Sequence, residues 1–290
     1  MKRFFYTFLL CCLATTLYAQ ELAVQWEHLT SPEMVQALDK SGGVCIIPMG
    51  VIEKHGPHMP LGTDVLIARD VAIRAAQEEY AVVFPFYFVG QINEARHQPG
   101  TVSYSPELLY QMLDETCREI ARNGFKKIIL YNYHGGNTTF LKYFCQSQLA
   151  SEKDYIVYNA EDQGDEYSPE IMKFRVNIEG GHADEGEGSN VMTIDPSLVK
   201  PERAHDQSGE SLERLPLPGL YTGIWWYANY PNHYAGDGSK ANAKLGQLIM
   251  DEYHDALVRM IRTVKEDSTG LQLQSTFFEG AKHPAQTPQK

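Results

Sequence analysis

Three stretches of this chain gather side chains able to hold a divalent cation and act on a carbonyl. The first is the loop Gly50-Val51-Ile52-Glu53-Lys54-His55-Gly56-Pro57-His58-Met59-Pro60-Leu61-Gly62-Thr63-Asp64, where two carboxylates flank an imidazole and proline alternates with glycine. Glu53 and His55 stand two apart, so in extended backbone their side chains share one side of the chain. Asp64 can return to meet them. Carboxylate oxygen beside imidazole nitrogen suits zinc first, with manganese or iron also compatible. Asp64 also precedes a helical stretch, where a carboxylate serves as an N-cap, but an N-cap does not explain why metal-ligand types crowd the same loop.

The second stretch is His134-Gly135-Gly136-Asn137. A histidine at a strand end, taken alone, is a hydrogen-bonded residue without special role, and two glycines are a turn. Beside Glu53, His55 and Asp64 it becomes a fourth ligand. The third is Gly180-Gly181-His182-Ala183-Asp184-Glu185-Gly186-Glu187-Gly188-Ser189. Its carboxylates are either solvated or answer to a cation.

Short apolar runs precede the first two stretches. Val44 to Met49, Ala81 to Phe84, Lys127 to Tyr131 and Tyr155 to Tyr158 read as buried strands. Between them, residues 65–79, 106–123 and 139–151 have helical spacing, the second opening on Ser105 and Pro106 and stopping at Gly124. Alternating strand and helix predicts a layered α/β/α fold with a largely parallel central sheet, whose strand ends carry the site. Residues 162–188 predict irregular structure that could cover a site, 241–264 a long final helix, and the tail after about 267 poor order.

The basic start Met1-Lys2-Arg3 and the apolar run from Phe4 to Leu17 read as a signal peptide, cleaved after Ala19. Residues 20–290 then form a single domain, exported and expected in the periplasm, with no stable membrane anchor after processing. The net charge of −12 offers no basic face and argues against nucleic acid as a partner. Cys45, Cys117 and Cys145 lack metal-finger spacing and read as buried apolar residues. The aromatic run Trp225, Trp226, Tyr227, Tyr230 and Tyr234 reads as core packing rather than a pocket wall.

Together the three stretches resemble the creatininase (creatinine amidohydrolase) family, in its His-Gly-Gly-Asn type. The family's Glu-x-His-Gly-x-His-x-Pro-x-x-Thr-Asp loop is matched at Glu53, His55, Gly56, His58, Pro60, Thr63 and Asp64. Its His-Gly-Gly-Asn segment is matched at His134 to Asn137, its Pro-Gly-Thr at Pro99 to Thr101, and its His-Ala-Gly-Glu-x-Glu-Thr-Ser approximately at His182 to Ser189. The resemblance implies a metal held by Glu53, Asp64 and His134, and a second held by His55 and Asp64, with Asp64 bridging. His182 would be the general acid toward the departing nitrogen, and Glu187 a ligand or a partner of one. One or two ions per subunit are expected, since creatininase itself carries a glutamate ligand where this chain has Gly136; it also has a glutamate where this chain has Gly181, which implies a different water-activating arrangement. The implied activity is hydrolysis of a small cyclic amide or related carbon–nitrogen bond, by a homo-oligomer such as the hexamers frequent in the family. Peptide-derived or ring-opened nucleotide amides are further substrates that the His-Gly-Gly-Asn type suggests. Creatinine is not expected as substrate, because no tryptophan lies between Asp162 and His182. The alternative is an exported small-molecule binding protein with the same fold and no catalysis.

Overall fold

The computed structural model describes Leu22 to Gln289, so the expected signal peptide and its cleavage point lie outside the described residues. The first elements are α1 (Ser31–Lys40), β1 (Val44–Met49), α2 (Thr63–Glu78) and β2 (Val82–Val83). They are followed by α3 (Pro106–Arg122), β3 (Lys127–Asn132), α4 (Thr138–Ser147) and β4 (Ile156–Asn159). All four strands pair in parallel in the order β2-β1-β3-β4. The chain moves one way across the sheet from β1 to β2 and back the other way to β3 and β4. Right-handed crossovers therefore place α2 on one face and α3 and α4 on the other. The apolar run of β1 is buried throughout, as a parallel strand covered on both faces must be. Here the expected α/β/α layering is observed.

Register decides where the site forms. Val44 pairs with Lys127 and the pairing continues to Met49 opposite Asn132. The loops carrying Glu53 and His134 thus leave neighbouring strands at the same carboxyl edge, where open parallel sheets hold their ligands.

After β4 the chain is irregular apart from a short 3-10 turn (Ile171–Lys173), as its glycine- and acid-rich composition predicts, but β5 (Gly180–His182) and α5 (Glu185–Ile194) begin inside the stretch expected to stay irregular to 188. A short helix α6 (Trp225–Asn229) and strand β6 (Ala235–Gly236), antiparallel to β5, lead into α7 (Ala243–Glu266). α7 packs on α2 and α5. Residues after Asp267 do not form the loose tail expected from their polarity: α8 (Gly270–Lys282) follows, with Asp267 Oδ1 accepting from the Thr269 and Gly270 N–H groups at its start and Gln274 donating to the Tyr155 carbonyl at 2.8 Å. Cys45 and Cys117 are buried as expected, and Cys145 is half-buried. Among the described residues no helix is long and apolar enough to cross a membrane.

The crossing of α7 over α5 is close. A Cβ on Gly246 would lie 1.9 Å from the Ser189 carbonyl oxygen, which no rotamer change can relieve. Alanine is about 1 kcal/mol better than glycine inside a helix, but overpacking costs about 1–3 kcal/mol, and a backbone overlap belongs at the upper end. Gly246→Ala is therefore expected to destabilise the protein by about 2 kcal/mol in urea unfolding. A midpoint equal to or above wild type would contradict the crossing.

Candidate metal centre

Asp64 is the second residue of α2, and Gly62 rather than Asp64 occupies the N-cap. This corrects the capping role that its position before a helix suggested. Its carboxylate instead turns into the protein, where it is 1% exposed as a residue, and Oδ2 accepts from the Val51 N–H at 3.3 Å. Gly50 makes this approach possible, because a Cβ there would sit 2.5 Å from the Cβ of Asp64.

His134 is aimed by its neighbours. The Asn137 side chain donates to Asn132 Oδ1 at 2.9 Å and accepts from the Gln91 N–H at 2.8 Å. The carbonyl of the Gln91 so fixed accepts from His134 Nε2–H at 2.8 Å. Nδ1 is left facing Glu53 Oε1 at 2.9 Å and Asp64 Oδ2 at 3.1 Å. An imidazole whose far N–H is bound to a carbonyl presents its near lone pair to a cation. His55 is arranged likewise, with Nδ1 on the Glu53 carbonyl at 3.3 Å and Nε2 3.1 Å from Asp64 Oδ1.

The third acidic stretch divides its labour. Asp184 caps α5 by accepting from the Glu187 N–H at 3.0 Å. Glu185, fully buried, accepts from the backbone N–H groups of Val176 and Asn177 and so holds the preceding irregular segment. Glu187 alone turns toward the centre, its Oε2 3.8 Å from His55 Nε2 while accepting from the Ala183 N–H at 2.5 Å. His182 donates from Nε2 to the Lys54 carbonyl at 2.9 Å and packs on the His55 ring at 4.3 Å.

Two triads of donor atoms result, Glu53-Asp64-His134 and His55-Asp64-Glu187, with Asp64 common to both. Glu53, His55 and His182 also converge. The fit to a cation is tested by Glu53 Oε1, which is buried and close to His134 Nδ1 yet makes no aligned hydrogen bond. Burial would raise the Glu53 carboxyl, but His134 and His182 hold it well below the ordinary range. Burial works to lower His55, and the facing Asp64, with Glu187 and Glu53, carries it up to about 9. His134 is raised well above its ordinary value by Glu53 and Asp64 against the same burial. Glu187 is pushed up to about 8 by burial. Without a cation the centre thus holds protons in its place, which is the chemistry of a donor set that fits one.

The family model described as Creatininase, creatinine amidohydrolase, matches residues 27–261. The chain belongs to the creatininase family. A creatinine amidohydrolase of Pseudomonas putida is 33% identical over 103 residues, which is 34% of this chain and 40% of that protein. The mycofactocin precursor peptide peptidase of Mycolicibacterium smegmatis is 29% identical over 78% of this chain and 87% of its own length. A putative creatinine amidohydrolase of Bacteroides fragilis shares the fold with a TM-score of 0.72 at 21% identity, covering 86% of this chain and 99% of that one. Solved creatininases of this fold, 22% identical, include a zinc-zinc form and a manganese form.

Within this creatininase fold the five expected ligand residues, Glu53, His55, Asp64, His134 and Glu187, come together with His182. Gly136, the position at which the resemblance left the second cation in question, has no room for a side chain, since a Cβ there would lie 2.5 Å from His134 Nε2 and 2.9 Å from the Gln91 carbonyl. Three donors nevertheless remain on the His55 side, because Glu187 completes them. The aromatic run is not simply core: Trp225 and Trp226 wall the chamber of about 250 Å³ over the centre, while Tyr234 is buried. Sequence reasoning missed His233, which is 2% exposed and contacts Glu53 Oε2 through Nε2. Only its place beside that aromatic run hinted at it.

The held protons have a measurable consequence. Between pH 6.5 and about 9 the folded protein keeps a proton on His55 that the unfolded chain has released. Glu187, pushed up from 4.5 to about 8, acts in the same direction in the part of that window below 8. The stability they contribute is therefore present at low pH and lost as pH rises through that window. Melting of chelator-treated protein is expected to fall from pH 6.5 to 9, with a smaller slope in Asp64→Asn. A flat or rising profile would contradict the clustering.

Proposed function

We propose that this creatininase-family chain is an exported, metal-dependent amidohydrolase, with Glu53, Asp64 and His134 holding one divalent cation and His55, Asp64 and Glu187 a second. The observation that carries the reading is the pair of triads sharing Asp64. Zinc leads among the ions, with manganese or iron compatible with the same donors. The zinc-zinc and manganese forms of the related creatininases support this choice. A cation in this cradle supplies Lewis acidity toward water and a carbonyl oxygen.

His182 moves the proton. Burial and the neighbouring His55 push it down to about 3, so at neutral pH it starts uncharged. Its Nε2–H is committed to the Lys54 carbonyl, which leaves Nδ1 as the free nitrogen. It must accept the proton of the attacking water before returning it to the departing nitrogen, which makes it a base first and an acid second. Trp225 and Trp226 line the chamber and give the reacting amide an aromatic wall.

The chamber's size supports a small cyclic amide or related carbon–nitrogen bond as the reacting group. A second reading, a peptide-derived amide, is favoured by an open groove of about 1210 Å³ that adjoins the chamber at Glu94, Gly135, Gly136 and Tyr221. Export rests on the basic, apolar leader with cleavage after Ala19, and a periplasmic home follows from it. A homo-oligomer is supported by Tyr143, Tyr221 and Ile224, exposed apolar side chains that line the groove together.

Assays of metal-loaded protein on cyclic amides and short peptide amides test the proposal. His182→Ala is expected to lower kcat by about 10²–10⁴-fold with metal content unchanged. No turnover of any amide by the wild type would favour a binding protein instead. Undiminished turnover in His182→Ala would remove the assigned proton path.

A further inference from the structure

His233 lies 180 residues from Glu53 in the chain and belongs to none of the three motif stretches, yet its ring meets the Glu53 carboxylate inside the protein. We infer that His233, locked by Trp226, is a positioning residue that assigns the two oxygens of Glu53 to different tasks. The inference rests on the metal-binding reading above and concerns what this chain adds to it.

The argument is one of donors and acceptors. Indole N–H can only donate, and Trp226 Nε1 donates to His233 Nδ1 at 2.9 Å. Nδ1 therefore carries the lone pair, and the ring's proton must sit on Nε2. That N–H donates to Glu53 Oε2. One oxygen is thereby occupied, and the other, Oε1, is the buried atom without an aligned hydrogen bond, beside His134 Nδ1. The relay fixes which oxygen faces the cation. It also prevents His233 from acting as a ligand itself, since its Nε2 lone pair is replaced by hydrogen. His233 does for a carboxylate what the Gln91 carbonyl does for His134: each takes up the group that would otherwise let the ligand turn.

The backbone around His233 is built to hold this geometry. Its φ of 51° lies in the left-handed region, which costs a non-glycine residue about 1 kcal/mol or more. Two hydrogen bonds oppose that cost, from the His233 N–H to the Tyr230 carbonyl at 2.9 Å and from the Gly56 N–H to the His233 carbonyl at 3.1 Å. The second ties the turn to the loop that bears Glu53 and His55. Trp226 is itself held against Tyr230, with ring centroids 4.9 Å apart, and lines the chamber. The His233 ring also packs on His182 at 4.4 Å.

Equilibrium competition for zinc against a chromophoric chelator tests the role on folded, metal-free protein, folding being verified by circular dichroism. His233→Ala is expected to weaken one of two zinc equivalents by roughly 10–100-fold, the scale seen when a partner of a metal ligand is lost. The other equivalent should stay within about threefold of wild type. His233→Gln, whose amide N–H can donate to Glu53, should recover most of the loss. Trp226→Phe keeps a ring but removes the indole donor, so either tautomer of His233 becomes available and the same equivalent should weaken by an intermediate amount. If His233→Ala does not fold, the Gln and Phe variants decide. Two zinc equivalents bound as in wild type by His233→Ala, or by Trp226→Phe where His233→Ala does not fold, would overturn the positioning role alone. A folded His233→Gln as impaired as His233→Ala would do the same. Wild-type protein that takes up no zinc would overturn the metal reading, and this role with it.

Discussion

The Asp64 carboxylate stands between two imidazoles, His55 on one oxygen and His134 on the other, and the rest of the site is arranged around that bridge. Three separate parts of the chain must agree to make it. β1 and β3 must pair in register so that their following loops emerge together, α2 must begin with Asp64 turned inward, and Gly50 must leave room for it. Buried acids and histidines at such distances are costly unless they compensate one another. In the metal-free protein raised histidines and lowered carboxylates provide that compensation, and a divalent cation provides it in the proposed working state.

Much of this was legible in the sequence because it follows from local pattern. Continuous apolar runs marked β1 and β3 as buried strands, while β4 at the sheet edge is only half-buried, and helical spacing placed α2 and α3 within a few residues. The quartet Glu53, His55, Asp64 and His134 stood out by ligand type and by position after strands. Less legible was the third stretch, since Asp184, Glu185 and Glu187 are chemically alike and adjacent. Only the start of α5 assigns one to its cap, one to a loop and one to the centre. α8 was hidden because its residues look polar enough for a loose tail, while its docking depends on long-range contacts such as Gln274 to Tyr155. His233 was hidden for the same reason, its partner being distant in sequence. The tryptophans of α6 reach the chamber from the C-terminal half of the chain, rather than from the loop before His182.

Two glycines beside the bridge are constrained in different ways. Gly136 cannot accept a side chain without displacing His134 or the Gln91 carbonyl, so its smallness is built into the way His134 is aimed. At Gly181 nothing lies within 4 Å of an added Cβ, but φ of 127° disfavours any other residue.

The central claim is that Asp64 bridges two cation positions. Anomalous diffraction from crystals of wild-type protein grown with zinc tests it most directly. The account predicts two anomalous peaks flanking the Asp64 carboxylate, one bounded also by Glu53 and His134, the other by His55 and Glu187. A single peak, or peaks that leave Asp64 uncoordinated, would contradict it.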